Sequence, residues 1–448
     1  MTSTSASVAG ESPAAIPPPR ASFWRRHATA LAFLGPALFM LLVWYVYPTI
    51  ATVVRSLFSD SGNDFVWFDN YKRVFTDDVM VTAIKNNAIW VAVVPAAVTA
   101  LGLVFAVLLE KVRWSVAFKF ALFAPLAISL FAAGVIWRST MYEKDPSVGA
   151  INHVVGVVKE AYSPPGVLAE AKPSTKALTG SPTEGLTLEK SVAPGDTALL
   201  GLTAIPPQEV PSGAKQAAEP EAASGAISGV VWRDFKPGGG KPGVVEQGEQ
   251  GLPGVTVELH DASGKTVQSA ETEADGSFAF RGLGGGRYKA AIGAKTFAEP
   301  FAGVSWLGPK LITPAIIIAY LWTAAGFAMV VIGAGLAAIP RDVLEAARTD
   351  GASEFQVFRR VTAPLLAPVL GVVFVTQIIG VLKVFDIVLA IAPSSSRNDA
   401  TVLAFEMWRK SFSGQNQFGV GAALAVFLFV LVIPILILNI RRFRREAM

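Results

Sequence analysis

Cysteine is absent from the 448 residues, which excludes a disulfide framework, a thiolate metal site and a redox dithiol. Histidine is scarce: His27, His153 and His260 are too scattered for a catalytic or metal-binding cluster. No GxxxxGK[ST] phosphate loop occurs, so this chain is not expected to hydrolyse ATP itself. Charged residues make up only 16% of the chain against 52% hydrophobic ones, too apolar for an ordinary soluble protein. The net charge of +4 is small, and the basic residues cluster beside apolar runs instead of forming one broad face, which argues against nucleic acid as a partner. An enzyme reading has no constellation to stand on.

What the chain does have is a series of long apolar stretches. Ala28 to Val54 follows Arg25 and Arg26 and is interrupted only by Pro36 and Pro48. It is far longer than the roughly 7–15 residues of a signal-peptide core, so it reads as a retained span. Further stretches lie at Asn87 to Leu109, Val116 to Trp137, Leu311 to Ala338, Leu365 to Ala392 and Phe418 to Ile440, each near the roughly 20 residues that a crossing helix needs. Arg25 and Arg26, Lys111 and Arg113, and Arg441, Arg442, Arg444 and Arg445 all fall where such a count places the cytoplasm. The expectation is an α-helical polytopic protein of the cell membrane with six transmembrane helices and both termini cytoplasmic. Residues 1–22, rich in Ser, Ala and Pro, are expected to be a disordered cytoplasmic tail, followed by helices 1–3 over 23–137 and helices 4–6 over 306–448.

Between the third and fourth stretches the composition shifts to Gly, Pro, Ser, Thr and Glu, which predicts an extracytoplasmic insertion. Residues 138–226 read as a loop and a Pro- and Ala-rich linker, loosely extended over 163–225, although Leu186 to Leu202 alternates enough for one or two strands. Residues 227–293 carry alternating runs between Gly-, Pro- and Asp-rich turns and predict an antiparallel β-sandwich, with hairpin turns at Asp261 to Lys265 and Ala274 to Ser277. ISGVVWRDF, GLPGVTVEL, ADGSFAF and LGGGRYKAAI in this part resemble the Cna-B-like or SdrD-B-like modules of bacterial surface proteins. The resemblance implies carboxylates after the first strand that hold calcium. Here Lys236 and Gly238 stand among Asp234, Glu246 and Glu249, too few acids for the six or more oxygens of a calcium site, so no metal is expected.

One polar segment between two apolar stretches has a signature, Ile339 to Pro364. Asp342 with Glu345 and Ser353 with Gln356 each predict a capping-box start, Gly351 a reversal, and Pro364 a stop: helix, turn, helix. Val343, Leu344, Ala346 and Ala347 offer a small apolar surface, and Arg341, Glu345, Arg348 and Asp350 offer charges of both signs. Such a hairpin suits a partner's cleft, and a self-solvating cytosolic loop would account for the same residues. Glu345-Ala346-Ala347, three residues, Gly351, nine residues, Val361, then Ala363-Pro364 resembles the EAA loop of ABC importer permeases, with Val361 and Ala363 where the family usually has Ile and Leu. The surrounding residues are similar to the sugar-importer branch. So are Val148 to Asn152, Trp306-Leu307 and the segment from Pro393 into the last apolar stretch.

The resemblance implies one of two permease subunits of an ATP-driven importer. Its partners would be a second permease subunit, an ABC ATPase dimer that binds the ATP, and an extracytoplasmic solute-binding protein that delivers a sugar or oligosaccharide. No cofactor is implied on this chain. Glu345, Ala346, Ala347, Asp350, Gly351 and Pro364 would form the coupling element. Two rival readings stay open: a permease for another solute, such as glycerol phosphate or a peptide, and a membrane-anchored interaction protein that displays the β-domain.

Polar residues within the apolar stretches are the candidates for a substrate path. Gln377 is uncharged and deep, with Tyr320 and Trp322 as stacking surfaces that equally suit packing or interface anchoring. Lys383 and Asp386 are three apart and are expected to meet on one helix face, either as a gating position or, the preferred reading, as a structural ion pair at the outer boundary.

Overall fold

A computed structural model describes residues 23–110 and 112–446; the expected tail over 1–22 and Lys111 lie outside them, as do the side chains of Arg25, Arg26, Arg442, Arg444 and Arg445. The helices in chain order are α1 (Phe23–Leu41), α2 (Tyr47–Arg55), α3 (Asp69–Thr76), α4 (Asp78–Glu110), α5 (Ser115–Phe123), α6 (Leu130–Ile136), α7 (Ala150–Tyr162), α8 (Ile312–Ala337), α9 (Arg341–Thr349), α10 (Glu354–Val357), α11 (Ala363–Leu382), α12 (Asp386–Ile391), α13 (Arg397–Ala400), α14 (Leu403–Phe412) and α15 (Phe418–Glu446). Two compact units result, one from residues 1–131 with 316–448, the other from 132–315.

Among the described residues, five helical segments are long and apolar enough to cross a membrane: Ala32–Arg55, Asp78–Glu110, Ile312–Ala337, Glu354–Leu382 and Phe418–Ile437. The expected third span is not one straight helix. Its two parts, Ser115–Ala127 and Leu130–Met141, form a bent pair that counts as a sixth span only if taken together. The break follows Pro125, whose missing N–H and ring interrupt the ladder and leave a 3₁₀ turn at Ala124–Ala127. The expected fifth span is also shorter than Leu365 to Ala392. It ends at Leu382, and α12 starts afresh at Asp386, so Lys383 closes one helix and Asp386 opens another, both exposed. The expected common face for these two residues does not exist.

In the helical unit, buried Met80, Ala83, Leu403, Val420, Ala423 and Leu424 join α4, α14 and α15. Elsewhere close backbone approach replaces large side chains. A Cβ on Gly102 of α4 would come within 2.5 Å of Ala328 Cβ on α8, and one on Gly326 within 2.1 Å of Leu122 O on α5. Small residues at such crossings let helices gain dispersion contact where water supplies no driving force.

The other unit is built on ten strands: β1 (Lys172–Pro173), β2 (Leu178–Ser181), β3 (Gly185–Leu188), β4 (Thr197–Thr203), β5 (Ala226–Arg233), β6 (Gln250–Gly251), β7 (Thr256–His260), β8 (Thr266–Glu271), β9 (Ser277–Arg281) and β10 (Lys289–Ile292). One sheet runs β1-β4-β5-β6 with β9 also on β5, and the other runs β2-β3-β10-β7-β8. Alternation along the strands turns Ala198, Leu200, Leu202, Ile227, Val231, Val257, Leu259, Phe278, Phe280 and Ile292 into one buried core.

The sandwich therefore does not start at 227. Four strands come from the stretch expected to be linker, and β4 lies between β1 and β5 in the first sheet. β3 and β4 fall where Leu186 to Leu202 alternates enough for one or two strands, whereas β1 and β2 are short and set among Pro and Gly. Nor is it wholly antiparallel: β4 and β5 pair in parallel from Thr197↔Ser228 to Leu202↔Arg233. Of the two expected hairpin turns, the one at 261–265 closes β7 onto β8, with Asp261 N donating to Lys265 O at 3.0 Å. The other turn forms, with Glu273 N donating to Ser277 O at 2.9 Å, but it carries the chain from one sheet to the other.

The ends of the sandwich lie side by side. Gly166 N donates to Ala298 O at 2.8 Å and Leu168 N to Thr296 O at 3.0 Å. Outside this closure, fully buried Asn152 ties the flanking chain together. Its Nδ2 donates to the carbonyls of Glu143, Lys144 and Val304, and its Oδ1 accepts from Val304 N at 2.9 Å and Trp306 Nε1 at 3.0 Å.

Candidate functional site

The polar segment at 339–364 forms a helix, a tight reversal and a second helix. α9 starts after Pro340 without a side-chain cap, so the expected Asp342/Glu345 box is not formed: Pro340 occupies the N-cap and places Asp342 already inside the first turn. The second box is present, with Ser353 Oγ accepting from Gln356 N and Gln356 Oε1 accepting from Ser353 N at 2.8 Å. Between them Gly351 has φ of +83°. Its N–H reaches Arg348 O at 3.0 Å and that of Ala352 reaches Ala347 O at 3.1 Å, the paired bonds of a Schellman ending. Arg348 Nε bonds Glu354 Oε1 at 2.9 Å and staples the two helices. Pro364 does not stop the second helix. It sits in the first turn of α11 after a π-turn at Phe358–Thr362, which absorbs the missing donor.

Within its own unit α9 covers little. Glu345, Ala346, Asp350 and Gly351 are exposed, and Ala347 and Leu344 are half-buried. The EAA-like residues thus share one short, charged, rigidly turned hairpin that presents its surface outward.

A second constellation forms where α4, α8 and α11 meet. Tyr320 and Gln377, expected as path residues, are both buried, and the Tyr320 hydroxyl lies 3.4 Å from Gln377 Oε1. Trp90 of α4 packs edge-on against Tyr320 at 5.4 Å between ring centroids. Gly380 leaves room for the hydroxyl, since a Cβ there would sit 3.3 Å from it. Tyr320, Thr323, Phe327 and Gln377, with Leu126, Ile128, Leu130 and Ala324, line a cavity of about 160 Å³. That is below the roughly 300–1,000 Å³ typical of sites for drug-sized ligands, so a disaccharide enters only if these helices part. Trp322 lies elsewhere on α8, 37% exposed. Asp386 is exposed at the start of α12 and does not line the cavity.

Comparison with known proteins follows this geometry. Residues 278–445 match the family model for the binding-protein-dependent transport system inner membrane component, and residues 225–300 match the SdrD B-like domain. An osmoprotective compounds uptake permease protein, GgtC of Synechocystis sp., is 27% identical over 92% of this chain and 98% of its own. An alpha-glucoside transport system permease protein, AglF of Rhizobium meliloti, is 26% identical over 93% of this chain and 82% of its own. The chain is thus similar to the binding-protein-dependent transport permeases. A crystal structure of a bacterial ABC transporter for import of the acidic polysaccharide alginate shares the fold, with a TM-score of 0.55 at 15% identity over 95% of this chain and 98% of that one.

The helical unit holds a further polar network. Asn86 Nδ2 of α4 donates to the carbonyls of Asp399 and Thr401 at 2.8 Å, and Asn87 Oδ1 accepts from Leu403 N at 2.7 Å. One asparagine thus satisfies carbonyls at the end of α13, and the other an orphan donor at the start of α14. Glu406, fully buried, accepts from Thr401 Oγ1 and from Arg409, whose Nη2 is 2.8 Å from Glu406 Oε2 and whose Nη1 donates to Asn398 Oδ1 at 2.9 Å. The available signal was two adjacent asparagines within an apolar run and a Glu and Arg at i, i+3.

In the sandwich the three carboxylates after β5 are occupied by the loop itself. Asp234 Oδ2 accepts from Gly243 N, Glu246 Oε2 from Lys241 N, and Glu249 Oε2 from Glu246 N, while Lys236 Nζ lies 3.4 Å from Glu246 Oε1. Glu249 is buried. Burial pushes its carboxyl above the ordinary range, the Asp234 and Glu246 charges add to this, and the Glu246 N–H and the Trp232 indole partly offset it. A carboxyl raised in the folded state contributes stability below its unfolded pKa and loses that contribution as pH rises through the folded value. Glu249→Gln is therefore expected to raise the sandwich's unfolding temperature at pH 8 and to flatten its decline between pH 5 and 8, measured by calorimetry; an unchanged pH slope refutes the assignment.

Proposed function

We propose that this permease is one of two membrane subunits of an ATP-driven importer and passes a sugar or oligosaccharide delivered by an extracytoplasmic binding protein. The observation that carries the reading is the outward-facing α9 hairpin with Glu345-Ala346-Ala347 on its helix and Gly351 at its left-handed turn. In this reading the hairpin docks in a groove of a cytosolic ATPase dimer, six membrane crossings place both termini in the cytoplasm, and the sandwich faces outside. The sugar class is supported by the relatives, which are named for alpha-glucoside and osmoprotectant uptake, and by the hydroxyl and amide that Tyr320 and Gln377 offer in one cavity.

Topology is tested with single cysteines in this cysteine-free chain. Ala262→Cys at the exposed 261–265 turn is expected to react with an impermeant maleimide in intact cells, and Arg341→Cys at the start of α9 only after permeabilisation. The opposite pattern overturns the orientation.

Substrate contact is tested by Gln377→Leu, which removes the amide and leaves the buried Tyr320 hydroxyl without its partner. A lost hydrogen bond of about 1–2 kcal/mol corresponds to a roughly 5- to 30-fold rise in the KM for sugar uptake. Uptake into reconstituted vesicles at an unchanged KM removes these residues from the path.

A further inference from the structure

Helix α7 carries two apolar faces, and only one of them is used. Toward its own unit it packs Asn152, Val155 and Gly156, and a Cβ on Gly156 would sit 3.1 Å from the Phe301 ring. Lys159 lies over the same ring, 5.2 Å from its centroid. On the other side Val154, Val157, Val158 and Tyr162 are 62%, 57%, 54% and 89% exposed. With Ala150, Ile151 and Ala161 they fill an arc of about 140° at 3.6 residues per turn, whose one polar group is the Tyr162 hydroxyl at its edge. Polar His153 and Glu160 lie beyond its edge.

Where this face lies is set by what holds the helix at its base. Asn152 binds the backbone of Glu143 and Lys144, directly after the apolar segment that ends at Met141, and of Val304, eight residues before α8 begins at Ile312. Tyr142 donates its hydroxyl to Ala315 O in the first turn of α8 at 2.8 Å. Its ring packs between Trp137 and Trp306, at 5.2 and 6.1 Å between centroids. Amphipathic aromatics grouped at the ends of two apolar helices mark the headgroup level of a bilayer. The base of α7 is fastened to that level through Asn152 and Tyr142.

We propose that α7 is an interfacial helix whose Val154, Val157, Val158 and Tyr162 face rests in the outer leaflet, at the boundary of headgroups and acyl chains. This rests on the reading of the long apolar helices as membrane spans. A protein partner such as the binding protein is the other occupant of such a face. The lipid surface is favoured because the fastening through Asn152, Tyr142 and Trp306 sits at the ends of the apolar segments that precede α7 and open α8.

The test uses the full chain in vesicles of phosphatidylcholine and phosphatidylglycerol, with a fluorescent bimane on single cysteines at Val154→Cys, Val157→Cys or Val158→Cys, at His153→Cys or Glu160→Cys, and at Phe429→Cys in α15. Lipids with a nitroxide on the acyl chain are expected to quench the three valine positions about threefold or more over His153 and Glu160, with iodide showing the reverse order. Iodide reaching the valine positions as readily as His153 overturns the proposal. Protection that appears only when the extracytoplasmic binding protein is added overturns it in favour of protein docking. Phe429→Cys separates the two levels: quenched by lipid while the valines are not, it sinks the α7 proposal alone; unquenched, it sinks the membrane reading and α7 with it.

Discussion

Glu345→Lys and Gly351→Val are each expected to reduce sugar-stimulated ATP hydrolysis at least about tenfold in reconstituted vesicles, with insertion into the membrane unchanged. Gly351 has no heavy atom near the position of an added Cβ, so the substitution meets no clash. Its φ of +83° is the difficulty, because a β-branched residue resists that region by about 1–3 kcal/mol. The strain falls on the bonds to Arg348 O and Ala347 O that aim α9, and α9 has no fully buried residue whose packing would be lost. Glu345→Lys leaves the turn intact and reverses a charge on the exposed face, which costs steering and register if, as the proposed docking requires, the partner's groove is basic. Gly351→Asn, which tolerates the left-handed region, is expected to recover most of the activity. Wild-type coupling in both damaging variants shows that the hairpin is only a solvated connection.

Arg409→Leu is expected to destabilise the helical unit by about 3–5 kcal/mol, because it leaves the fully buried Glu406 carboxylate without its cation. Glu406→Leu alone costs less, since Arg409 keeps Asn398 and a partial path to water. Changing both to Leu recovers most of the loss, as removing a buried pair together avoids the stranded charge. Thermal unfolding in detergent measures all three, and additive losses in the double variant disprove the coupling.

Sequence patterns were most informative where a local rule has a single strong cause. Gly351 announced a left-handed turn, Ser353 with Gln356 announced a capping box, and Asp261 to Lys265 announced a hairpin, and each needs only neighbours within a few positions. Patterns failed where the deciding partner is remote. The break at Lys383 is invisible in an apolar run because α11 is hydrophobic on every side and has no periodicity to lose. The alternation of Leu186 to Leu202 allowed for β3 and β4, which pair with β10 and β5, whereas the short β1 and β2, which pair with β4 and β3, are concealed among Pro and Gly. Tyr320 and Gln377 were legible as polar residues in apolar surroundings, yet Trp90 and Gly380, which shape their cavity, look like ordinary packing residues. The network around Glu406 joins residues more than 300 positions apart through Asn86 and Asn87.

The paired ends of the sandwich have a consequence for how the chain tolerates so large a guest. Asn152 and Val304 are 152 positions apart, and bringing them together through a floppy chain of that length is an entropic burden. With Gly166 bonded to Ala298, the folded sandwich becomes a knot at the end of two short threads, fourteen positions on one side and six on the other. The closure then costs as if the loop had about twenty residues, roughly 2 kcal/mol less. The clasp at Asn152 is thereby insulated from whatever lies beyond Gly166 and Ala298. A different module with adjacent ends, spliced at the same two points, would leave it equally undisturbed.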